Sequence, residues 1–455
     1  MREKKTGIER GGSNRVRYAV LVVLMLVVLW LAGGVVVSYR ADNGVEMSSS
    51  EITQASIFYW GTDLLEFGHA MVNDGSGNIY VAGFWNRTGG DNFDAFVVKF
   101  DVSGNEIWND SWGGGESDKL YSIAYDSAGY VVVTGTTRSY GEGVRNIFVM
   151  KYTLSGQRLW NVTWGKAGCY ADGEELKVDT SGNIYVAGSY YNGTSWELLL
   201  VKFDSSGNEI WNATWGLSDN DKGRGLVLNS AESVIYVVGV TYSYEPNGSI
   251  IVCCFYANGT YKVHRIWGGL SEDLGIDITR DDVDNIYVTG YTESFGSGKW
   301  DLVLLRYNSE LTDMLPMTEV WGGAENDLGN SIIYYNSRIY ITGWTWSYHP
   351  ITMKMCILEY TTSGELVQYE VWGVGGEYGE DLLISVDGKL YTLITLGMYS
   401  SDDNVAVAKW EITPPETTMQ IPGYSFEVVV SVIAMIGVIY YIISRERSIG
   451  VIKQG

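Results

Sequence analysis

The sequence predicts an all-β chain folded as a seven-bladed β-propeller of four-stranded antiparallel blades, flanked by an apolar helix at each end. Three observations carry this expectation. Trp-Gly recurs at Trp60, Trp112, Trp164, Trp215, Trp267, Trp321 and Trp372, at intervals of 52, 52, 51, 52, 54 and 51 residues, and such a period marks a repeat architecture. Each interval holds four short alternating segments separated by turn residues, the signature of an antiparallel meander. Composition agrees, since 56 Gly and 33 Tyr against 6 Pro suit a turn-dense sheet protein rather than a helical or disordered one. Charge narrows the function: a formal net charge of −23 repels a phosphate backbone and argues against a nucleic-acid partner. Four Cys in 455 residues are too few for a disulfide framework.

Taken in order, residues 1–17 form a basic segment expected on the cytoplasmic side. Residues 18–38 hold an uncharged apolar run long enough to span a bilayer, read as a signal-anchor or as a cleaved signal peptide. A linker occupies 39–53 and the propeller ectodomain 54–410, followed by a short Pro/Thr stalk over 411–424. A second apolar segment, 425–444, reads as a transmembrane or sorting helix, with a basic cytoplasmic tail over 445–455. This order predicts a cell-membrane protein with an extracellular ectodomain and, before any processing, both termini in the cytoplasm.

Within a unit, a Gly-rich acidic stretch leads into the first strand, and a turn of the Asp-x-Ser-Gly-Asn kind follows. The second strand recurs as Asn78 to Gly83, Asn183 to Gly188, Asn285 to Gly290 and Arg338 to Gly343. The third reads like Asp94 to Asp101 and the last like Glu106 to Trp112. Unit seven supplies Asp381 to Ser385, Lys389 to Ile394 and Val405 to Trp410, but no fourth strand. Gln54 to Gly61 reads as a last strand without a unit of its own, so it is expected to complete blade seven and remove an open sheet edge.

The succession Trp-Gly-Gly, Asp, Asp-x-x-Gly-Asn-Ile-Tyr-Val-x-Gly, Asp-x-Phe-Val-Val-Lys-Phe/Tyr and Gly-x-x-x-Trp, running over about residues 56 to 410, resembles the SBBP-type β-propeller repeats of exported bacterial and archaeal proteins. It is clearest in units one to three and five, and degraded in unit four (Val234 to Tyr256) and unit seven. That resemblance implies a propeller fold and a surface location, and no particular reaction. Ile421-Pro422-Gly423-Tyr424, ahead of the second apolar run, resembles the Pro-Gly-aromatic sorting signals that archaeosortase-type enzymes process. A plain C-terminal membrane helix is the other reading.

Loops after strands two and four of each blade emerge on one side. There the sequence places Trp85, Tyr191, Trp196, Tyr244, Trp300, Trp344, Trp346 and Tyr348 among Ser, Thr, Asn and Gly. Ring faces that stack and hydroxyls that hydrogen-bond are what a sugar surface needs, so these residues are the ligand-binding candidates. Packing between neighbouring blades is the competing role. Asp118, Asp221, Asp273 and Asp327, like Glu66, each follow their Trp by six residues, with Asp172 and Asp381 nearby in the irregular units. Those four aspartates are the metal candidates, for Ca²⁺, or else cap their loops through backbone N–H groups. No cofactor is predicted beyond that ion. Glycosylation acceptors occur at Asn86, Asn109, Asn161, Asn192, Asn212, Asn247 and Asn258.

Catalytic signals are sparse. His69, His264 and His349 have no metal-ligand spacing, and the chain holds no Gly-x-Ser-x-Gly, His-Glu-x-x-His or phosphate-loop motif. The expected function is therefore a non-catalytic binding or adhesion module for surface glycans or surface proteins. The alternatives are a surface carbohydrate-active enzyme or lyase using the acidic, aromatic loop face, and a passive structural envelope component.

Overall fold

The Asp-x-Ser-Gly-Asn turn shows how a blade is assembled from its motif. Asp74 accepts the N–H groups of Ser76 and Asn78 at 2.9 and 3.1 Å, while Gly77 takes φ +82°, a region open to Gly at little steric cost. The Asn78 side chain and the Tyr80 hydroxyl both donate to the other carboxylate oxygen of Asp74, at 2.8 and 3.1 Å. Asp179 and Tyr185 repeat the arrangement, as do Asp281 and Tyr287. The recurring Tyr of the second strand is thus tied to the turn that starts it.

The computed structural model describes residues 52–61, 65–86, 92–312, 317–348, 352–373, 375–397 and 404–412. Both expected apolar helices, the basic tails, the sorting segment and nearly all of the linker lie outside the described residues, as does the stalk beyond Ile412, its first two residues belonging to the last strand. No helix occurs among those described. Their strands form seven four-stranded antiparallel sheets, each built in chain order except the last. Blade 1 contains Leu65–Asn73, Ile79–Asn86, Asp94–Phe100 and Glu106–Trp112. Blade 7 contains Tyr378–Ile384, Leu390–Leu396 and Asn404–Ile412, and Ile52–Trp60 pairs antiparallel with the third of these, Trp60 opposite Val405 and Ile52 opposite Ile412. The closing strand is therefore present as expected, two residues longer at its start.

Unit four, degraded in sequence, is regular in structure. Val234–Thr241 pairs with Ser249–Tyr256 without interruption. Alternation rather than motif identity maintains the blade: Cys253 packs on one face with Val237 and Phe255, and Cys254 on the other with Val252 and Tyr236. Both cysteines are free.

The core lies between blades. Val131, Val132 and Val133 in one middle strand are all inaccessible, because a blade is covered on both faces. The motif Gly of the second strand has a specific cause. A Cβ on Gly188 would fall 1.8 Å from the carbonyl oxygen of Asp172, and one on Gly239 would fall 1.9 Å from that of Lys222. The inner strand approaches there just before a bulge, which occurs in all seven inner strands, as between Gly68 and Ala70, Leu120 and Ser122, and Gly379 and Asp381.

Candidate functional site

These bulges build the central channel. A bulge leaves a residue out of the ladder and re-aims its side chain; here that residue is His69, Tyr121, Glu174, Arg224 (with Gly225 also unpaired), Ile276, Asn330 or Glu380 in the seven blades. All seven line a cavity of about 450 Å³. One step further along the strands stand Ser122, Glu175, Asp277, Ser331 and Asp381, with Lys177 beyond them.

Several of these groups link neighbouring blades. Ser122 accepts the N–H of Leu176 at 3.1 Å, Asp277 that of Ile332 at 2.9 Å, and Asp381 that of Met71 at 2.8 Å. Lys177 pairs with Glu175 at 2.5 Å. Both face the channel rather than packed atoms and retain 42% and 21% of their side-chain surface. Burial opposes the Lys177 charge, but Glu175, Asp277 and Asp381 outweigh it and hold the ammonium above its usual range. Burial pushes the carboxyls of Asp381, Asp277 and Glu380 up to about 6, 7 and 8. It pulls His69 down to about 4, which keeps the imidazole neutral at pH 7.

The four metal-candidate aspartates sit one per blade, fully buried at the start of inner strands. Asp118 accepts the Thr137 hydroxyl, the Ser139 hydroxyl at 2.7 Å and the Gly114 N–H at 2.8 Å. Asp221 does the same with Thr241, Ser243 and Leu217, Asp273 with Thr292, Ser294 and Gly269, and Asp327 with Thr345, Ser347 and Gly323. Each carboxylate thus ties the loop entering its strand to the loop leaving the next. Among the described residues, no three His, Cys, Asp or Glu side chains converge as a metal site requires.

The irregular units differ from the sequence reading. Counting back three residues from the bulged residue, the position equivalent to Asp118 is Ala171 in blade 3 and Glu377 in blade 7. Asp381 instead faces the channel, and Asp172 forms a bidentate pair with Arg145 at 2.5 and 2.6 Å. The bulge shifts the strand phase by one residue, so distance from Trp misleads wherever the connecting loop changes length.

The clamp presents an aromatic ring. In Thr137-Arg138-Ser139-Tyr140, Thr241-Tyr242-Ser243-Tyr244, Thr292-Glu293-Ser294-Phe295 and Thr345-Trp346-Ser347-Tyr348, the clamped Thr and Ser are followed by an aromatic residue. The four rings are 42 to 47% exposed. Three lie on the motif Trp closing the preceding blade: Tyr140 on Trp112 at 4.8 Å, Phe295 on Trp267 at 5.0 Å, and Tyr348 on Trp321 at 4.7 Å and 15°. Tyr244 reaches Trp215 through His264. Sequence reasoning named Tyr244 and Tyr348 as candidates but missed the repeat position and, with it, Tyr140. The Thr-x-Ser-aromatic pattern was its readable signal.

The other aromatic candidates are divided. Trp300 stacks on Tyr291 at 4.4 Å and approaches Trp344 at 6.3 Å, which meets Tyr378 at 6.1 Å. These four join blades 5, 6 and 7 on the strand-two side. Tyr191 and Trp196 cluster with Tyr170 on blade 3. Trp85 packs beside Trp60 and Phe96, each at 6.4 Å, and Trp346 is half-buried. Among the sequons, Asn109, Asn161, Asn192, Asn212, Asn247 and Asn258 are exposed, whereas Asn86 is buried.

No family model matches the chain. It is 23% identical over 310 residues to the regulatory protein FlaEY of Caulobacter vibrioides, covering 55% of this chain and 32% of that protein. The chain thus spans about a third of that relative's length. Among solved structures it is similar to the gluconolactonase XC5397 of Xanthomonas campestris, with 14% identity, 65% and 92% of the two chains covered, and a TM-score of 0.37. It is also similar to Sqt1 of Chaetomium thermophilum, with 10% identity, 78% and 98% covered, and a TM-score of 0.45.

Proposed function

We propose that this chain is a membrane-anchored, extracellular propeller of the SBBP type, and that it acts as a non-catalytic binding or adhesion module for surface glycans or surface proteins. The observation that carries the reading is the belt of Tyr140, Tyr244, Phe295 and Tyr348. Each ring is held at one repeat position and 42 to 47% exposed. An aromatic ring backed by packed side chains, with its other face open, offers a platform for the apolar face of a sugar or for a protein hot spot. The clamps beneath prepay the ordering of the loops, which favours affinity. The anchor rests on the two apolar terminal segments, and six exposed sequons suit an exported surface.

The test is a glycan and envelope-polymer array probed with the purified full-length chain, with and without calcium. Saturable binding that drops at least about tenfold in Tyr348→Ala or Phe295→Ala supports the module. Binding indifferent to all four belt substitutions removes the basis for this reading. A second reading, a carbohydrate-active enzyme or lyase, draws on the raised carboxyls of Asp277, Glu380 and Asp381 in the channel. Two of these three already accept backbone N–H groups, which favours a structural use. Shortened polymer in the same assay, detected by mass spectrometry, decides for the enzyme.

A further inference from the structure

The chain is strongly acidic as a whole, at −23, yet cations gather where blades 2 to 4 meet the channel. Lys119 lies over Phe84 and Phe93 at 4.4 and 4.3 Å, and Lys222 over Trp196 at 5.1 Å. Arg145 faces Tyr170 and Trp196 at 5.6 and 5.5 Å. Three carboxylates accompany them: Asp172, occupied by Arg145, Glu174, and Glu272, which accepts the Tyr242 hydroxyl at 3.2 Å.

Arg224 is the unusual member. It occupies the bulge of blade 4, lines the channel and is half-buried. Among the described residues, no carboxylate lies within the 4.0 Å of an ion pair. Its charge bears on His69, Tyr121, Tyr242 and Tyr291, and the nearest opposing charges are at longer range, Glu174 acting on the same Tyr121 and Glu272 on the same Tyr242 and Tyr291. Holding a guanidinium partly desolvated with no carboxylate in contact is costly, and a planar fork of donors is suited to a carboxylate. Lys222 likewise makes no ion pair with a described residue within 4.0 Å, its charge acting on Asp172 only at longer range. Its ammonium is steadied by an aromatic face, an arrangement that leaves the charge available to an anion.

The opposite half of the mouth is aromatic. Trp300 stacks on Tyr291, and Trp344 bridges from Trp300 to Tyr378. Packing connects the halves: Tyr242 of blade 4 and the channel-lining Ile276 share one cluster with Tyr291, Trp300 and Trp344.

The geometry points to an acidic saccharide as the ligand class of this face. Its carboxylate pairs with Arg224 and Lys222 at the channel mouth, and a sugar ring lies against the Trp300 and Trp344 side. The inference deepens the binding-module reading and rests on it. Of the residues given to the ligand only Arg224 lines the cavity of about 450 Å³, whose walls also carry Glu174, Glu175, Asp277, Glu380 and Asp381, so the saccharide sits at the mouth rather than within it. A saccharide fits better than an acidic peptide because the aromatic half offers ring faces to a ligand with an apolar ring face of its own.

Calorimetric titration of the full-length chain with trigalacturonate, with the matched neutral trisaccharide and with a short poly-glutamate peptide tests this. Trigalacturonate is expected to bind at least about tenfold more tightly than the neutral sugar, and Arg224→Gln to remove that advantage without lowering the melting temperature. Raising salt should weaken the acidic ligand alone. Equal affinity for acidic and neutral sugars, unchanged in Arg224→Gln, overturns the inference and leaves the belt reading standing. Equal or tighter binding of poly-glutamate overturns the saccharide assignment. No binding of either sugar, together with a silent array, overturns both.

Discussion

The backbone N–H of Met71 donates to Oδ2 of Asp381 at 2.8 Å, across 310 residues of sequence. This bond crosses the seam where the last blade meets the first. The same carboxylate accepts the N–H of Leu382 and the hydroxyl of Ser331, at 2.8 and 2.9 Å, so one side chain ties blades 6, 7 and 1. Asp381→Ala strands three donors, and the expected loss is about 1–3 kcal/mol of unfolding free energy. Asp381→Asn, which keeps one acceptor oxygen, should lose less. Urea unfolding of both variants checks the order; equal stability of all three proteins would contradict it.

The channel makes stability depend on pH. Glu380 and Asp277 bind their protons more tightly when folded, with values raised to about 8 and 7. Their contribution is present at low pH and is lost as pH rises through those values. His69, lowered to about 4, acts in the opposite sense between 4 and 6.5 and is spent above that range. The melting temperature is therefore expected to fall between about pH 6.5 and 8, and Glu380→Gln to flatten the fall. A melting curve that rises across this interval refutes the assignment.

The loop clamps predict a local effect. In Asp273→Ala the hydroxyls of Thr292 and Ser294 and the N–H of Gly269 lose their acceptor, at a cost on the order of 2 kcal/mol. Hydrogen exchange should quicken over residues 292–295 before it changes in the middle strands. Uniform protection after this substitution would deny the clamp its role in presenting Phe295.

Closure by the N-terminal strand predicts a change of assembly. Deleting residues 52–60 removes the ring contacts of Phe58 with Phe100 at 5.0 Å and of Trp60 with Phe96 at 4.7 Å. It also exposes the edge of Asn404–Ile412, which Ile52–Trp60 covers. Unpaired strand edges associate, so light scattering should find larger oligomers or aggregate in the deletion variant than in the intact chain. A monomeric, fully folded deletion variant would falsify the closure argument.

Much of the blade was legible because its causes are local. The 52-residue spacing of Trp60, Trp112 and Trp164, the Asp74 turn with Gly77 at φ +82°, and the alternation through Cys253 and Cys254 all act within a few residues of one another. The strand that closes the ring was readable too, since an unmatched half-unit at one end answers a missing one at the other. Site geometry was not legible in the same way. Whether Asp381 serves a loop or the channel depends on a one-residue bulge after Gly379, which leaves the composition of the strand unchanged but rotates every later side chain. The ring of Tyr140, the clamp beneath it and the guanidinium of Arg224 with no carboxylate in contact arise only when residues from different blades meet. Repetition specified the unit, because hydrogen bonding and burial within a blade are short-range. The fold decided what converges at the axis, because seven bulged strands placed around one channel bring together groups that the chain holds about fifty residues apart.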